Sequence, residues 1–120
     1  MIEYFDSHCH LDDDRFNEDR EEVIKKLKEA LKLDYMISFG GTVTFKNAKK
    51  AEEIIKMVPL EKLLIETDAP YLAPEPVRGT RNDSSNLKYI VENIAEFKGL
   101  TPEEVAHATY NNALKFFILK

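Results

Sequence analysis

The spacing of apolar and polar residues changes along the chain between two patterns. Three short apolar runs, at residues 2–5, 35–39 and 63–67, have the length and the β-prone composition of buried strands. After each run, apolar residues recur at three- and four-residue spacing among charged ones, which predicts helices over residues 18–31, 46–57 and 86–97. Strands that alternate with helices in this way predict an α/β fold with a parallel sheet.

Local signals predict where these elements end. Gly40-Gly41 should end the second strand in a tight turn, and Pro59 should close the second helix. Gly99 has the position of a helix C-terminal stop, and Thr101 begins a capping box with a proline in the first turn. We expect a further short helix over residues 111–119. Residues 69–86 form the longest irregular segment, and loops of this length are often functional.

The residues with the most distinctive chemistry lie at the predicted ends of strands. His8 and His10 follow the first strand, and on a strand their alternate positions place both imidazoles on one face. Paired imidazoles suit zinc and other divalent first-row ions. Asp68 ends the third strand, and the C-terminal ends of parallel strands meet at one edge of a sheet. His8 and His10 are therefore predicted to be metal ligands rather than ordinary surface or core histidines, and Asp68 is their natural partner.

Other polar residues near this edge have two interpretations each. Asp68 could ligate a metal and activate water, or it could be a turn residue before Pro70. Glu66, two residues earlier, should face the same side and need a partner. Arg78 and Arg81 could bind a substrate phosphate, or they could pair with the nearby carboxylates or with water. His107, on a predicted helix, is interpreted as structural.

Composition limits the class of protein. A net charge of −5 argues against a broad basic surface that would hold nucleic acid by phosphate neutralisation alone. The single cysteine, Cys9, excludes an intrachain disulfide and fits a reducing compartment. No apolar stretch approaches the roughly 18 residues of a membrane span. We expect a cytoplasmic protein that forms one domain and does not associate with membranes.

Several segments resemble one protein family. Tyr4-Phe5-Asp6-Ser7-His8-Cys9-His10-Leu11-Asp12 is similar to the N-terminal signature of the TatD-type metal-dependent deoxyribonucleases, in the amidohydrolase-like group of TIM barrels. Residues 58–70, which end in Glu66-Thr67-Asp68-Ala69-Pro70, are similar to their C-terminal signature. Residues 37–45, 78–82 and 109–113 are also similar to that family. The resemblance covers nearly the whole chain.

The resemblance implies a metal-dependent hydrolase of phosphodiester bonds in DNA. It makes His8, His10 and Asp68 ligands of one or two divalent ions (Mg, Mn or Zn), with Asp68 also activating the attacking water. From their own chemistry, Arg78 and Arg81 are the candidate contacts with the substrate phosphate. A small phosphoester is an alternative substrate, which the acidic net charge favours slightly.

The chain also departs from that family. A TIM barrel needs about 250 residues and eight βα units, whereas this chain has 120 residues and three predicted strands. The resemblance implies an internal truncation, with a first βα unit at residues 1–33 and the last two units at residues 34–120. The family's bridging glutamate and two further histidine ligands have no counterpart.

Two folds and two functions follow from this departure. The three βα units could form part of a (β/α)8 barrel or a flavodoxin-like rearrangement with helices on both faces. Unpaired sheet edges then favour a homo-oligomer. The alternative to an active hydrolase is a catalytically inactive, oligomeric remnant or engineered fragment.

Overall fold

Helices and short strands alternate along the described part of the chain. The computed structural model describes residues 15, 18–31 and 36–117. Three 3-10 turns, Gly41–Thr44, Leu60–Lys62 and Ser84–Asn86, lie between the longer elements. In chain order those elements are α1 (Arg20–Leu31), β1 (Ile37–Phe39), α2 (Lys49–Met57), β2 (Leu63–Ile65), α3 (Leu87–Lys98) and α4 (Pro102–Phe116).

The two described strands pair in parallel. Ile37 lies opposite Leu63 and Phe39 lies opposite Ile65. The backbone N–H of Glu66 extends this ladder past the end of β2, because it donates to the Phe39 carbonyl at 2.9 Å. This pairing confirms the predicted α/β fold with a parallel sheet. The predicted first strand, at residues 2–5, lies outside the described residues.

A single apolar cluster holds the sheet against three helices. Ile54 and Ile55 of α2, Leu63 of β2 and Val105 of α4 are almost fully buried. They come together because the apolar residues of each helix recur on one face, which turns toward the sheet. The other buried members of the cluster are Phe39, Val43, Ala51, Val58, Ile90, Val91, Ile94 and Ala95.

The predicted end of α3 and the predicted start of α4 are confirmed. Gly99 has φ +66°, and the N–H groups of Gly99 and Leu100 donate to carbonyls in the last turn of α3. A positive φ of this kind favours glycine because it has no Cβ. The Thr101 hydroxyl accepts from the Glu104 N–H at 3.2 Å, while the Glu104 carboxylate accepts from the Thr101 N–H at 2.8 Å.

The prediction of a separate helix over residues 111–119 is wrong. α4 runs without interruption from Pro102 to Phe116. Asparagine usually weakens a helix because its amide competes for nearby backbone groups. The buried Asn112 amide instead donates to the carbonyls of Leu60 and Leu63, both at 2.8 Å. These bonds fasten α4 to the start of β2.

The second helix, α2, is also shorter than predicted. α2 begins at Lys49 and not at residue 46, because Gly41–Thr44 forms a 3-10 turn that continues into a further turn before the helix. The turn is closed by the Ala48 N–H, which donates to the Phe45 carbonyl at 3.0 Å.

Among the described residues, no helix is long and apolar enough to cross a membrane.

Candidate active site

Two carboxylates lie at the C-terminal end of β2. Glu66 and Asp68 are both half-buried. They face the same place, because a Cβ built on Gly40 would lie 3.4 Å from Glu66 Oε1 and 3.8 Å from Asp68 Oδ2. Gly40 directly follows β1, so the ends of both strands contribute to one site. The prediction that Glu66 and Asp68 share a side is therefore confirmed.

The chain turns sharply after Asp68. The Tyr71 N–H donates to the Asp68 carbonyl at 2.8 Å, and the Ala69–Pro70 peptide bond between them is cis. Asp68 thus takes part in a turn through its backbone carbonyl. Within the described part of the chain, its carboxylate has no hydrogen-bond donor or cation paired with it. The turn leaves the Asp68 carboxylate available as a ligand or a base.

Asn82 holds the segment that follows Asp68. Its side chain is almost fully buried, and its amide donates to the Tyr71 carbonyl at 2.9 Å and, more weakly, to the Leu72 carbonyl at 3.5 Å. Its backbone N–H donates to the Pro70 carbonyl at 3.0 Å, and its side-chain oxygen accepts from Asn86. One residue therefore satisfies three successive carbonyls, which would otherwise lack partners.

The same segment rests on the turn after β1. A Cβ built on Gly41 would lie only 2.5 Å from the Leu72 carbonyl oxygen and 3.3 Å from the Pro74 backbone nitrogen. Thr44 adds a second link, because its hydroxyl accepts from the Glu75 N–H at 2.9 Å and donates to the Gly41 carbonyl at 2.7 Å. The loop after Asp68 is consequently seated on the loop after β1.

Arg78 is exposed and has local contacts. Its guanidinium stacks 3.8 Å from the centre of the Phe45 ring, and it pairs with Glu75 at 3.9 Å. The alternative in which Arg78 pairs with Glu66 or Asp68 is not among these contacts. At such exposure the ion pair contributes little free energy of folding, so the guanidinium can exchange Glu75 for another anion.

Arg81 is also exposed and lies near Asp83. Hydrogen bonds from the Ser85 hydroxyl and the Ser85 N–H lower the pKa of Asp83, and the positive charge of Arg81 lowers it further. Asp83 is thereby kept ionised beside Arg81. Neither arginine is buried, so both belong to the outer surface of the loop.

Among the described residues, one of the three predicted metal ligands, Asp68, is present. His8 and His10 lie outside the described residues, and His107 is exposed on α4, where it contacts Asn111. In the described part of the chain, no three His, Cys, Asp or Glu side chains converge closely enough to hold a metal ion. Carboxylate oxygens suit Mg²⁺, Mn²⁺ and Zn²⁺, so Asp68 fits one ligand position.

A separate groove of about 600 Å³ lies between α3 and α4. Leu87, Val91, Ala106 and Tyr110 line it, together with the acidic Glu92 and Glu103. It contains no pair of carboxylates at a strand end and no histidine. The groove is therefore a mainly apolar surface distinct from the site around Asp68.

Comparisons with known proteins identify the family. Residues 24–118 match the sequence model of the family described as TatD related DNase. The chain belongs to the TatD family. The chain is 52% identical over 90 residues to the uncharacterized metal-dependent hydrolase YabD of Bacillus subtilis, covering 75% of this chain and 35% of that protein. It is 43% identical over 102 residues to YcfH of Escherichia coli, covering 85% and 37%.

Solved structures of TatD proteins share the fold. The crystal structure of YjjV, a TatD homologue from Escherichia coli, superposes with a TM-score of 0.66 at 30% identity, over 76% of this chain and 35% of that one. A TatD family hydrolase from Entamoeba histolytica also gives a TM-score of 0.66, at 18% identity, over 80% and 39%. The chain thus spans about a third of the length of these relatives.

Sequence reasoning missed the residues that support the loop after Asp68 but are not themselves candidate ligands or bases. Asn82 is polar and lies in a loop, so its burial has no periodic signal in the sequence. The close approach of Gly41 to Leu72 joins positions 31 residues apart, and a Gly-Gly pair indicates only a turn.

Proposed function

We propose that this chain is a metal-dependent hydrolase that cleaves phosphodiester bonds in DNA. The observation that carries the proposal is the pair of half-buried carboxylates, Glu66 and Asp68, at the C-terminal end of a parallel strand beside Gly40. Membership of the TatD family and relatives named as metal-dependent hydrolases support it. Parallel α/β folds place their active sites at this edge of the sheet.

Asp68 and the two N-terminal histidines are the proposed ligands. His8 and His10 would supply imidazole nitrogens, and Asp68 would supply a carboxylate oxygen, a mixed set that suits Zn²⁺ or Mn²⁺. The remaining positions would be completed by water or by a neighbouring chain. When bound, a divalent ion supplies positive charge that stabilises the phosphate and lowers the pKa of water.

The chain's own residues have two further roles in this proposal. The carboxylate of Asp68 accepts a proton from the attacking water, for which it is available because no described donor occupies it. Arg78 and Arg81 contact phosphates of the substrate from the exposed side of the loop. Glu66 lies beside Asp68 at Gly40 and would add a second carboxylate to this position.

Cleavage that depends on an added ion tests the function. The chain is stripped of metal with a chelator and mixed with an end-labelled single-stranded oligonucleotide and Mg²⁺, Mn²⁺ or Zn²⁺ in turn. We expect at least one ion to restore cleavage and excess chelator to stop it, because the proposed reaction depends on the bound ion. Product length on a denaturing gel is the measurement.

The same assay separates the alternatives. Hydrolysis of p-nitrophenyl phosphate esters without cleavage of the oligonucleotide would replace DNA by a small phosphoester as the substrate. No hydrolysis of either class with any of the three ions would contradict the proposal, and would identify the chain as an inactive remnant of the TatD fold.

We also expect the chain to form a homo-oligomer. Parallel sheets in α/β proteins are usually covered on both faces. The described sheet has two strands, β1 and β2, and the unpaired edges of so small a sheet favour pairing with another chain. A second copy could cover what the missing barrel units cover in longer relatives. Sedimentation velocity at micromolar concentration should show a species heavier than one chain, and a single monomer boundary would refute this expectation.

A further inference from the structure

α4 exposes two aromatic rings on one side of the helix. Tyr110 is 66% exposed and Phe117 is 62% exposed. They are seven residues apart, which is about two helical turns, so both rings lie on the same side of α4. Single exposed apolar side chains are common on protein surfaces, whereas neighbouring ones mark surfaces that contact another molecule.

The two rings continue the apolar groove between α3 and α4. Tyr110 lines this groove together with Ala106 and Ala113, which lie about one turn before it and one turn after it. Each alanine leaves a recess beside the large ring, because its side chain is a single methyl group. We call Ala106, Tyr110, Ala113 and Phe117 the α4 face. Small and large side chains alternate along it.

This alternation makes the α4 face complementary to itself. Two copies of α4 that pack antiparallel about a two-fold axis midway between residues 111 and 112 place Tyr110 opposite Ala113 of the second copy. The same axis places Phe117 opposite Ala106 of the second copy. Each ring then fills an alanine recess, and each contact occurs twice, as the symmetry of an isologous dimer requires.

The α4 face carries little net charge. The charged side chains that line the adjoining groove are Lys88, Glu92 and Glu103. His107 is the titratable group next to Ala106 on α4. With His107 neutral, this surface has one excess negative charge, whereas the whole chain has a net charge of −5. A strongly charged partner would gain little here, but a second copy would meet little repulsion, which favours a second copy as the occupant.

We propose that the α4 face is a two-fold interface between two copies of this chain, in which Tyr110 and Phe117 of each copy pack on Ala113 and Ala106 of the other. The inference does not depend on the proposed hydrolase. It assigns the expected homo-oligomer to a helical surface that is separate from the edges of the sheet. The face is short, so we expect less than the roughly 1,600 Å² of a standard interface and a reversible dimer.

Sedimentation velocity of the full chain from low to high micromolar concentration tests the interface. The unchanged chain should sediment faster as its concentration rises. Tyr110→Glu should weaken the association at least about tenfold, because each dimer would bury two unpaired carboxylates. Tyr71→Glu is the matched control: it makes the same change in charge at a ring that is 72% exposed outside the α4 face, and it should leave the association unchanged.

A mixture of two variants tests which residues face each other. Ala113→Lys alone should also weaken the association, because each dimer would bury two unpaired ammonium groups. Mixed in equal amounts with Tyr110→Glu, it should recover a dimer, since the new carboxylate at position 110 faces the new ammonium group at position 113. Far-ultraviolet circular dichroism confirms that both variants are folded.

Four results would overturn the inference. A single monomer at all concentrations would exclude any dimer, and a dimer unaffected by Tyr110→Glu would place the contact on another surface, such as the edges of the sheet. An equal loss in Tyr71→Glu would attribute the effect to net charge. A mixture that stays monomeric would contradict the pairing of Tyr110 with Ala113. None of these results depends on cleavage, so they are distinct from a failure of the proposed hydrolase.

Discussion

Replacing Asp68 with asparagine should lower ion-dependent cleavage of an oligonucleotide by about 10²- to 10⁴-fold, the range for loss of a positioned acid or base. The change keeps the size and the turn of Asp68 but removes the carboxylate that would accept a proton from water. It also removes one charged ligand, so the ion concentration for half-maximal activity should rise. Initial rates at several ion concentrations measure both effects.

The matched control makes the same chemical change outside the site. Asp19→Asn replaces an exposed aspartate just before α1, where asparagine is an equally good helix-capping residue. This variant should retain the full rate. If both variants lost activity equally, or if Asp68→Asn kept it, Asp68 would not have the proposed role. Far-ultraviolet circular dichroism confirms that each variant is folded.

Gly41→Ala should lower the free energy of unfolding by about 3 kcal/mol, at the upper end of the usual cost of overpacking. The added methyl group would lie 2.5 Å from the Leu72 carbonyl oxygen, which is backbone and cannot rotate away as a side chain can. The loop after Asp68 must therefore shift and lose hydrogen bonds to Asn82. Urea unfolding measures the change in stability.

The neighbouring glycine supplies the control. A methyl group on Gly40 would meet Glu66 Oε1 at 3.4 Å and Asp68 Oδ2 at 3.8 Å, which are the ends of flexible side chains. Gly40→Ala should therefore cost less than about 1 kcal/mol of stability. Equal losses in the two variants would show that the chain does not need the close approach at Gly41.

The sequence predicted the regular elements better than their contacts. Local rules decided the end of α3 and the start of α4, since Gly99 and the Thr101–Glu104 capping box act within one turn. The same rules failed at Asn112, because its amide is satisfied by carbonyls about 50 residues away. A local pattern carries no information about such a distant partner.

The candidate site divides in the same way. Asp68 and Glu66 were predictable because a strand period of two residues and a strand end determine where they point. The contacts of Arg78 were not, since the guanidinium stacks on Phe45, which belongs to the preceding βα unit. Asn82 and Tyr71 depend on the path of an irregular loop, for which the sequence has no periodicity.

The contacts between the loop after β1 and the loop after β2 also limit which segments could be exchanged with those of a relative. Thr44 and Gly41 belong to the unit of β1, whereas Leu72 and Glu75 belong to the unit of β2, and their contacts cross between the two. A chimera that joins one unit to its counterpart from a relative would need a compatible pair at both contacts. We therefore expect chimeras that exchange both βα units together to fold more stably than chimeras that exchange only one.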